Sequence, residues 1–401
     1  MYLKSKSKKI KLNEDVLLKK IVILHDENDI NIEKIDINME KRLKSLDALR
    51  GFDMLFIMGF AGWIVGLCHL LPSNSVTEWL ITQMGHARWH GLTHHDTIFP
   101  LFLFVAGISF PFSLAKQRAH GKSEKSILLK VIKRGFMLVL FGLIYNEILK
   151  LNFTSFRFAS VLSRIGMAWM FAALIFMNFK TKTCWIISAA ILIGYWLIMW
   201  LIPNSADPFS MEDNFAATID RMFLPGRMYH RTYDPEGIFS TLPAIVTALL
   251  GMFTGQLVQL PNERLSENKK VGYMLLAAVI CTVVGWIWSF WFPINKSLWT
   301  SSFVLVLAGY SLVLFALFYY IIDVKGYYKW SFFFQVIGLN SITIYMAQRI
   351  INFRQITDFF FGGIASICPE DVGKLIISTG LIAICWLFLY VLYKKNIFLK
   401  V

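Results

Sequence analysis

Four of the eight histidines crowd into one short stretch, His86-Ala-Arg-Trp-His90-Gly-Leu-Thr-His94-His95, and Asp96 follows directly. An imidazole titrates near neutrality and can take a proton from an amine or an alcohol, which few other side chains do unaided. Asp96 also opens an apolar run, and an ionisable group at a membrane boundary beside such a cluster marks a candidate functional site. Two other readings compete with a general base or nucleophile. One is an interfacial segment with Trp89 and the imidazoles at headgroup level. The other is a metal site, because His86, His90 and His94 are spaced i, i+4, i+8 and would share one helix face. Gly91 and Thr93 weaken that helix and no HExxH pattern accompanies it, so no metal is expected.

Further chemistry-bearing residues are scattered along the chain. Tyr233-Asp234-Pro235-Glu236-Gly237 places two carboxylates around a proline, where they could orient a histidine or hold the hydroxyls and amine of a sugar. The same string suits an ordinary turn with proline at its second position. Asp47 and Arg50 stand at the start of the first apolar run, and Arg164 lies within another. A guanidinium at such depth faces a partner or a polar cavity. Arg50 reads either as a phosphate contact or as a helix-end arginine reaching for the interface. Asn340 and Ser341 interrupt a late apolar run, which suits hydrogen bonding between helices. The chain has no Walker loop, no GxGxxG and no serine-centred elbow, so nucleotide hydrolysis and serine-hydrolase chemistry have no support.

The elements that must hold these residues follow from composition. Of the 401 residues 56% are hydrophobic and 16% charged, against roughly 45–50% and about 25% in soluble domains. The net charge of +14 does not indicate a nucleic-acid partner, because the basic residues fall in short clusters between apolar runs instead of on one polar face. Segments 49–71, 97–115, 135–150, 156–178, 184–202, 239–258, 272–292, 301–322, 331–351 and 373–393 roughly meet the length of a membrane-spanning helix. With the N-terminus inside, ten crossings put every basic cluster on the cytoplasmic side, as short cytoplasmic loops require. The expected fold is therefore an all-α polytopic helix bundle of about ten spans with both termini cytoplasmic. A charged cytoplasmic tail (1–41) precedes a membrane domain (42–401), and no cleavable signal is expected. The histidine cluster and the Asp234–Glu236 pair both fall on the outer face. Five scattered cysteines without a CxxC pair read as free thiols.

The motifs, taken in order, resemble a known family. Arg42-Leu-Lys-Ser-Leu-Asp47-Ala-Leu-Arg50-Gly51 looks like the opening of several multi-span acyltransferase families. The stretch from His86 to Thr93, with Asp96, Phe99, Pro100 and Phe104, is similar to the heparan-α-glucosaminide N-acetyltransferase family. So are Val161-Leu162 with Arg164 and Gly166, and Tyr233 to Ile238. Pro293 with Asn295-Lys296 and Leu298-Trp299, Asp323 to Gly326, and Asn340-Ser341 with Tyr345 complete the set. The resemblance runs from Arg42 to the C-terminus. It implies transfer of acetyl from cytosolic acetyl-CoA to the amine of a glucosamine-type sugar across the membrane, in a lipid-embedded protein. His86 would be the catalytic base or transient acetyl acceptor, with Asp234 and Glu236 on the acceptor side. Arg50 and Arg164 would serve the CoA end or its path, and Asp96, Lys296 and Asn340 would contact substrate.

The chain also departs from that family. The charged tail is expected to stand where the animal enzymes carry a large N-terminal domain, residues 49–71 contain no asparagine, and His90, His94 and His95 are extra. These features suggest a compact bacterial inner-membrane form with the active histidine on the periplasmic side, whose acceptor is a wall-derived or scavenged amino sugar. A homodimer is a further expectation, from the aromatic-rich helices. An amino-sugar transporter and a metal-dependent membrane hydrolase are the competing functions.

Overall fold

A computed structural model describes residues 43–152, 156–202 and 206–399. The charged tail, Arg42 and Lys400 lie outside the described residues. Helices α1 (Lys44–His69), α2 (Ser75–Gln83), α3 (His94–Ala119), α4 (Glu124–Tyr145), α5 (Val161–Asn178), α6 (Thr181–Leu201) and α7 (Phe215–Phe223) occupy the first part of the chain. They are followed by α8 (Thr241–Gln259), α9 (Glu267–Trp288), α10 (Ser301–Val324), α11 (Lys329–Leu339), α12 (Ser341–Ile350), α13 (Phe353–Ser366) and α14 (Glu370–Lys394). Among the described residues no strand forms, and a single isolated bridge joins Arg157 to Gly226.

Among the described residues eight helices are long and apolar enough to cross a membrane, or nine if α11 and α12, bent by 56° at Asn340, count as one crossing. The sequence pattern predicts ten. The difference is the segment expected at 135–150. It belongs to α4, whose first half carries Lys130, Lys133 and Arg134 and so fails on apolar composition. Its 22 residues give a length of about 33 Å, comparable with a hydrocarbon core of about 30 Å. Arg118, at the end of α3, pairs with Glu124 at the start of α4 at 2.7 Å. At the other end of α4, Asn146 donates to the carbonyls of Arg157 and Ala159, just ahead of α5. α4 therefore runs the length of the bundle between its two neighbours.

Backbone contact at small residues sets the centre of the bundle. A Cβ at Gly107 of α3 would run into the carbonyl of Ala248, and one at Gly251 of α8 into that of Phe104, so α3 and α8 touch backbone to backbone. Small residues permit such contact where lipid leaves no hydrophobic drive between helices. Gly51 and Gly338 allow the same approach of α1 to α11. By contrast α9 keeps Leu276, Val279, Ile280, Val283 and Ile287 exposed, an apolar surface suited to lipid. Within α1, residues Phe56–Phe60 form a π-helical turn in which Gly59 takes a φ of 121°; such turns often accompany functional sites.

Candidate functional site

The start of α3 fixes the first part of the site. Asp96 stands in the first turn, and its Oδ2 accepts hydrogen bonds from the backbone N and the Oγ1 of Thr93 at 3.3 and 2.9 Å, and from Ala87 N at 3.1 Å. The local sequence Thr-x-x-Asp is the capping pattern that draws an acidic side chain back over a helix start, where the helix dipole also favours it. Its other oxygen, Oδ1, lies 2.7 Å from His86 Nδ1 and 3.4 Å from Lys296 Nζ. Lys296 Nζ is also 3.2 Å from His86 Nδ1. Burial lowers the pKa of Lys296, with the Asp96 and Glu236 carboxylates acting in opposition.

Residues 85–93 do not form a helix, so the i, i+4, i+8 alignment that favoured a metal site is absent. The three imidazoles face different partners. His86 meets the ring of His95 at 4.6 Å, His90 Nδ1 faces Asn295 Nδ2 at 3.4 Å, and His94 Nδ1 faces Tyr310 Oη at 3.2 Å. Among the described residues no group of three or more His, Cys, Asp or Glu side chains converges as a metal site would. Burial lowers the pKa of His90, against the charge of Asp207.

The Asp-Pro-Glu loop forms the second part of the site, and its organising residue is one the motifs missed. Arg157 donates from Nε and from a terminal nitrogen to the two oxygens of Asp234 at 2.8 and 2.6 Å, and also to Glu236. A two-pronged pair of this kind fixes direction as well as charge. Burial works against the charged form of Arg157, but its bonds to Asp234 and Glu236 outweigh that and raise its pKa. Residues 156–178 read as a continuous span in the sequence, whereas helix α5 begins at Val161 and leaves Arg157 in the preceding loop. The available signal was the net negative charge of residues 203–238, where Asp207, Glu212, Asp213, Asp220, Asp234 and Glu236 outnumber Arg221, Arg227 and Arg231. Asp220 underlies the same loop, accepting from Ile238 N at 2.7 Å, and burial raises its pKa to about 6, opposed by that backbone hydrogen bond and by the charge of Arg164.

Arg164 joins this loop and not Arg50. It donates to the carbonyl of Gly237 at 3.1 Å and to Ser240 Oγ, and its guanidinium lies over the Trp299 ring at 5.1 Å. Arg50 instead contacts Ser109 of α3 and lies 3.5 Å from Asp47. Thirteen residues of α3 separate Asp96 from Ser109, so the two ends stand about 20 Å apart along the helix. Arg134, stacked over Trp169 at 4.3 Å, feels the charge of Arg50. Asn340 joins neither end: it donates to the carbonyl of Ile397 at 3.2 Å and accepts from Thr343 at 3.1 Å.

Three loops therefore meet around His86. Trp89 packs against Tyr233 at 5.1 Å, Asn295 donates to Trp89 O at 2.9 Å, and Gly91 N donates to Ile294 O at 2.8 Å. Lys296 lies within electrostatic reach of both Asp96 and Glu236. The His86, Asp-Pro-Glu and Asn295-Lys296 motifs, remote in sequence, form one polar surface at one end of the bundle.

Comparisons with known proteins bear on this arrangement. A family model described as a domain of unknown function (DUF5009) matches residues 42–150. The heparan-alpha-glucosaminide N-acetyltransferase of Homo sapiens is 26% identical over 90% of this chain, and that of Mus musculus is 26% identical over 91%. The alignments cover 60% and 62% of those proteins, so the chain spans less than two thirds of the curated relatives it matches. The resemblance carried by the separate motifs thus extends along nearly the whole of this chain, which is similar to the heparan-alpha-glucosaminide N-acetyltransferases.

Proposed function

We propose that the protein is a membrane-spanning N-acetyltransferase that takes acetyl from cytosolic acetyl-CoA and delivers it to the amine of a glucosamine-type sugar on the opposite side. The observation that carries this reading is the pairing of His86 with Asp96 on the same surface as the Arg157–Asp234–Glu236 cluster, with Arg50 beside Ser109, about 20 Å further along α3. An amine is a nucleophile only when unprotonated, so a histidine held by a buried carboxylate suits the deprotonation step. His86 is the base, or first accepts the acetyl group itself. Glu236 holds the acceptor's ammonium, and Asp234 and Arg157 hold Glu236 in place. Arg50 and Arg134 receive the phosphates of the donor at the other end, where paired cations favour them. Arg164 supports the acceptor loop. The basic clusters orient the bundle with Lys122, Arg264 and Lys394 inside and His86 outside, on the periplasmic face of an inner membrane, with α4 as a further crossing. The membrane domain from residue 42 onward carries the chemistry, and the preceding charged tail stays in the cytoplasm.

The test uses proteoliposomes loaded with acetyl-CoA and supplied externally with labelled glucosamine. N-acetylglucosamine should appear outside, and His86→Ala should abolish it. Labelled glucosamine that crosses the membrane chemically unchanged would instead establish a transporter.

A further inference from the structure

Three titratable groups inside the bundle have no role in the function proposed above. Asp53 of α1 is 3% exposed, and its Oδ2 has no hydrogen-bond partner. Helix α10, which packs against α1, carries Tyr310, whose Oη lies 3.2 Å from Nδ1 of His94 at the start of α3. The second nitrogen of that ring, His94 Nε2, is buried and also unpartnered. Helices α1, α3 and α10 pack against one another, so three helices contribute to one line of polar groups. Phe56, in the π-helical turn of α1, covers the His94 ring edge-on at 4.5 Å. His95 continues the line toward His86, with ring centroids 4.6 Å apart and its own Nδ1 unpartnered. Leaving buried polar atoms without partners is costly within an apolar span, and nothing in the packing requires them.

Acetyl transfer from a thioester to an ammonium moves protons at both ends of the acetyl group. The ammonium loses two protons, the sulfur gains one, and one is released: R–NH3+ with CH3CO–SCoA gives R–NH–COCH3, HSCoA and H+. In water the leaving thiolate is tolerable, but an unpaired anion released within the bundle is far more costly. A donor entering from the Arg50 end puts its sulfur on the inner side of the carbonyl carbon and the amine on the outer side. His86, with its exposed ring, faces the amine.

We propose that His94 is a second catalytic histidine, whose Nε2 protonates the departing sulfur, with Tyr310 and Asp53 as positioning residues behind it. The proposal rests on the acetyl-transfer function. The amine nitrogen attacks the carbonyl carbon and the C–N bond forms. The C–S bond breaks with its electron pair going to sulfur, which takes the proton of His94 Nε2–H. One of the two amine protons leaves through His86 to water, and the other returns through His95 to restore His94. During the charged phase Tyr310 Oη accepts from His94 Nδ1–H and Asp53 balances the imidazolium.

The leaving group separates this role from a structural one. Purified full-length protein in detergent is given glucosamine with either acetyl-CoA or para-nitrophenyl thioacetate, whose aryl thiolate is weakly basic and leaves without a proton. His94→Gln should lower kcat with acetyl-CoA by about a hundredfold, the scale of general-acid assistance, while leaving the aryl donor nearly unaffected. Tyr310→Phe and Asp53→Asn should show the same donor selectivity with smaller losses, whereas His86→Gln should slow both donors alike. If His94→Gln does not elute as a folded protein, Tyr310→Phe decides, since it removes one hydroxyl and little volume. Equal slowing of both donors, or no slowing of either, overturns the assignment. Wild-type protein that acetylates glucosamine from neither donor would defeat the acetyltransferase reading itself, an outcome distinct from failure of the relay.

Discussion

His86 Nδ1 lies 2.7 Å from Asp96 Oδ1, and the two side chains differ sharply in exposure, 56% against 3%. The carboxylate is held by Thr93 and Ala87 and cannot follow the ring, so the ring is oriented by it. Lys296 Nζ is a donor, as is the protonated Nδ1, so both converge on Asp96 Oδ1. Nε2 of His86 is then the basic nitrogen, because the hydrogen bond made by one ring nitrogen sets the state of the other.

From this pairing, Asp96→Asn should lower kcat for glucosamine acetylation by about a hundredfold, within the range for general-base catalysis, with KM changed far less. His86→Gln should reduce the rate to background. Steady-state kinetics in proteoliposomes check both. A rise in KM with kcat preserved for Asp96→Asn would mean that the carboxylate binds substrate and does not orient the base.

Arg157 should govern stability more than turnover. Asp234 is buried and Arg157 largely so, and removing one partner of a fully buried pair costs about 3–5 kcal/mol by leaving the other charge uncompensated. Arg157→Gln should therefore lower the melting temperature by several degrees in detergent, followed by intrinsic tryptophan fluorescence. Adding Asp234→Asn to it should recover part of the loss, since the orphaned charge is then gone. Glu236→Gln should raise KM for glucosamine with a smaller effect on melting.

The helices were legible in the sequence because each is a long apolar run bounded by charge, and even the bend fell where Asn340 interrupts one of them. α4 was the exception, since Lys130, Lys133 and Arg134 dilute its apolar character. The composition of the site was legible in part. His86 with Asp96 stood out because ten residues separate them along an already unusual stretch. Arg157, Tyr310 and Asp53 did not, because their meaning comes from contacts 77 and 79 residues away for Arg157 and 216 residues away between Tyr310 and His94. Spacing along a chain cannot carry such contacts. Arg164 was seen as a buried guanidinium, but only the contact with Gly237 assigns it to the Asp-Pro-Glu loop.

Asp220 supplies a stability test with a defined sign. Burial raises its pKa from 3.8 to about 6 in the folded protein, so the folded state binds this proton more tightly than the unfolded state. Its contribution therefore favours folding below pH 3.8 and is lost as pH rises through about 6. The span corresponds to about 3 kcal/mol. Asp220→Asn, which is neutral throughout, should raise the melting temperature relative to wild type at pH 7.5 and converge with it toward pH 4. Thermal melts across that range check it, and a difference that grows toward low pH would contradict the assignment.

The reading of the site as an acceptor face depends on which side of the membrane it occupies. Arg88 and Arg231 are exposed in two of the loops around His86, whereas Lys122 and Arg264 are exposed where α3 ends and where α9 begins. If the basic clusters face the cytoplasm, a cysteine at residue 88 or 231 should react with a membrane-impermeant maleimide added to intact cells. A cysteine at 122 or 264 should react only after the membrane is opened. The background would carry alanine or serine at the five native cysteine positions, of which Cys281 and Cys368 are partly exposed. Labelling of all four positions from one side would be incompatible with a bundle that separates Arg50 from His86. Labelling in the reverse sense would put His86 on the side where acetyl-CoA is made, and the acetyl group would then have no membrane to cross.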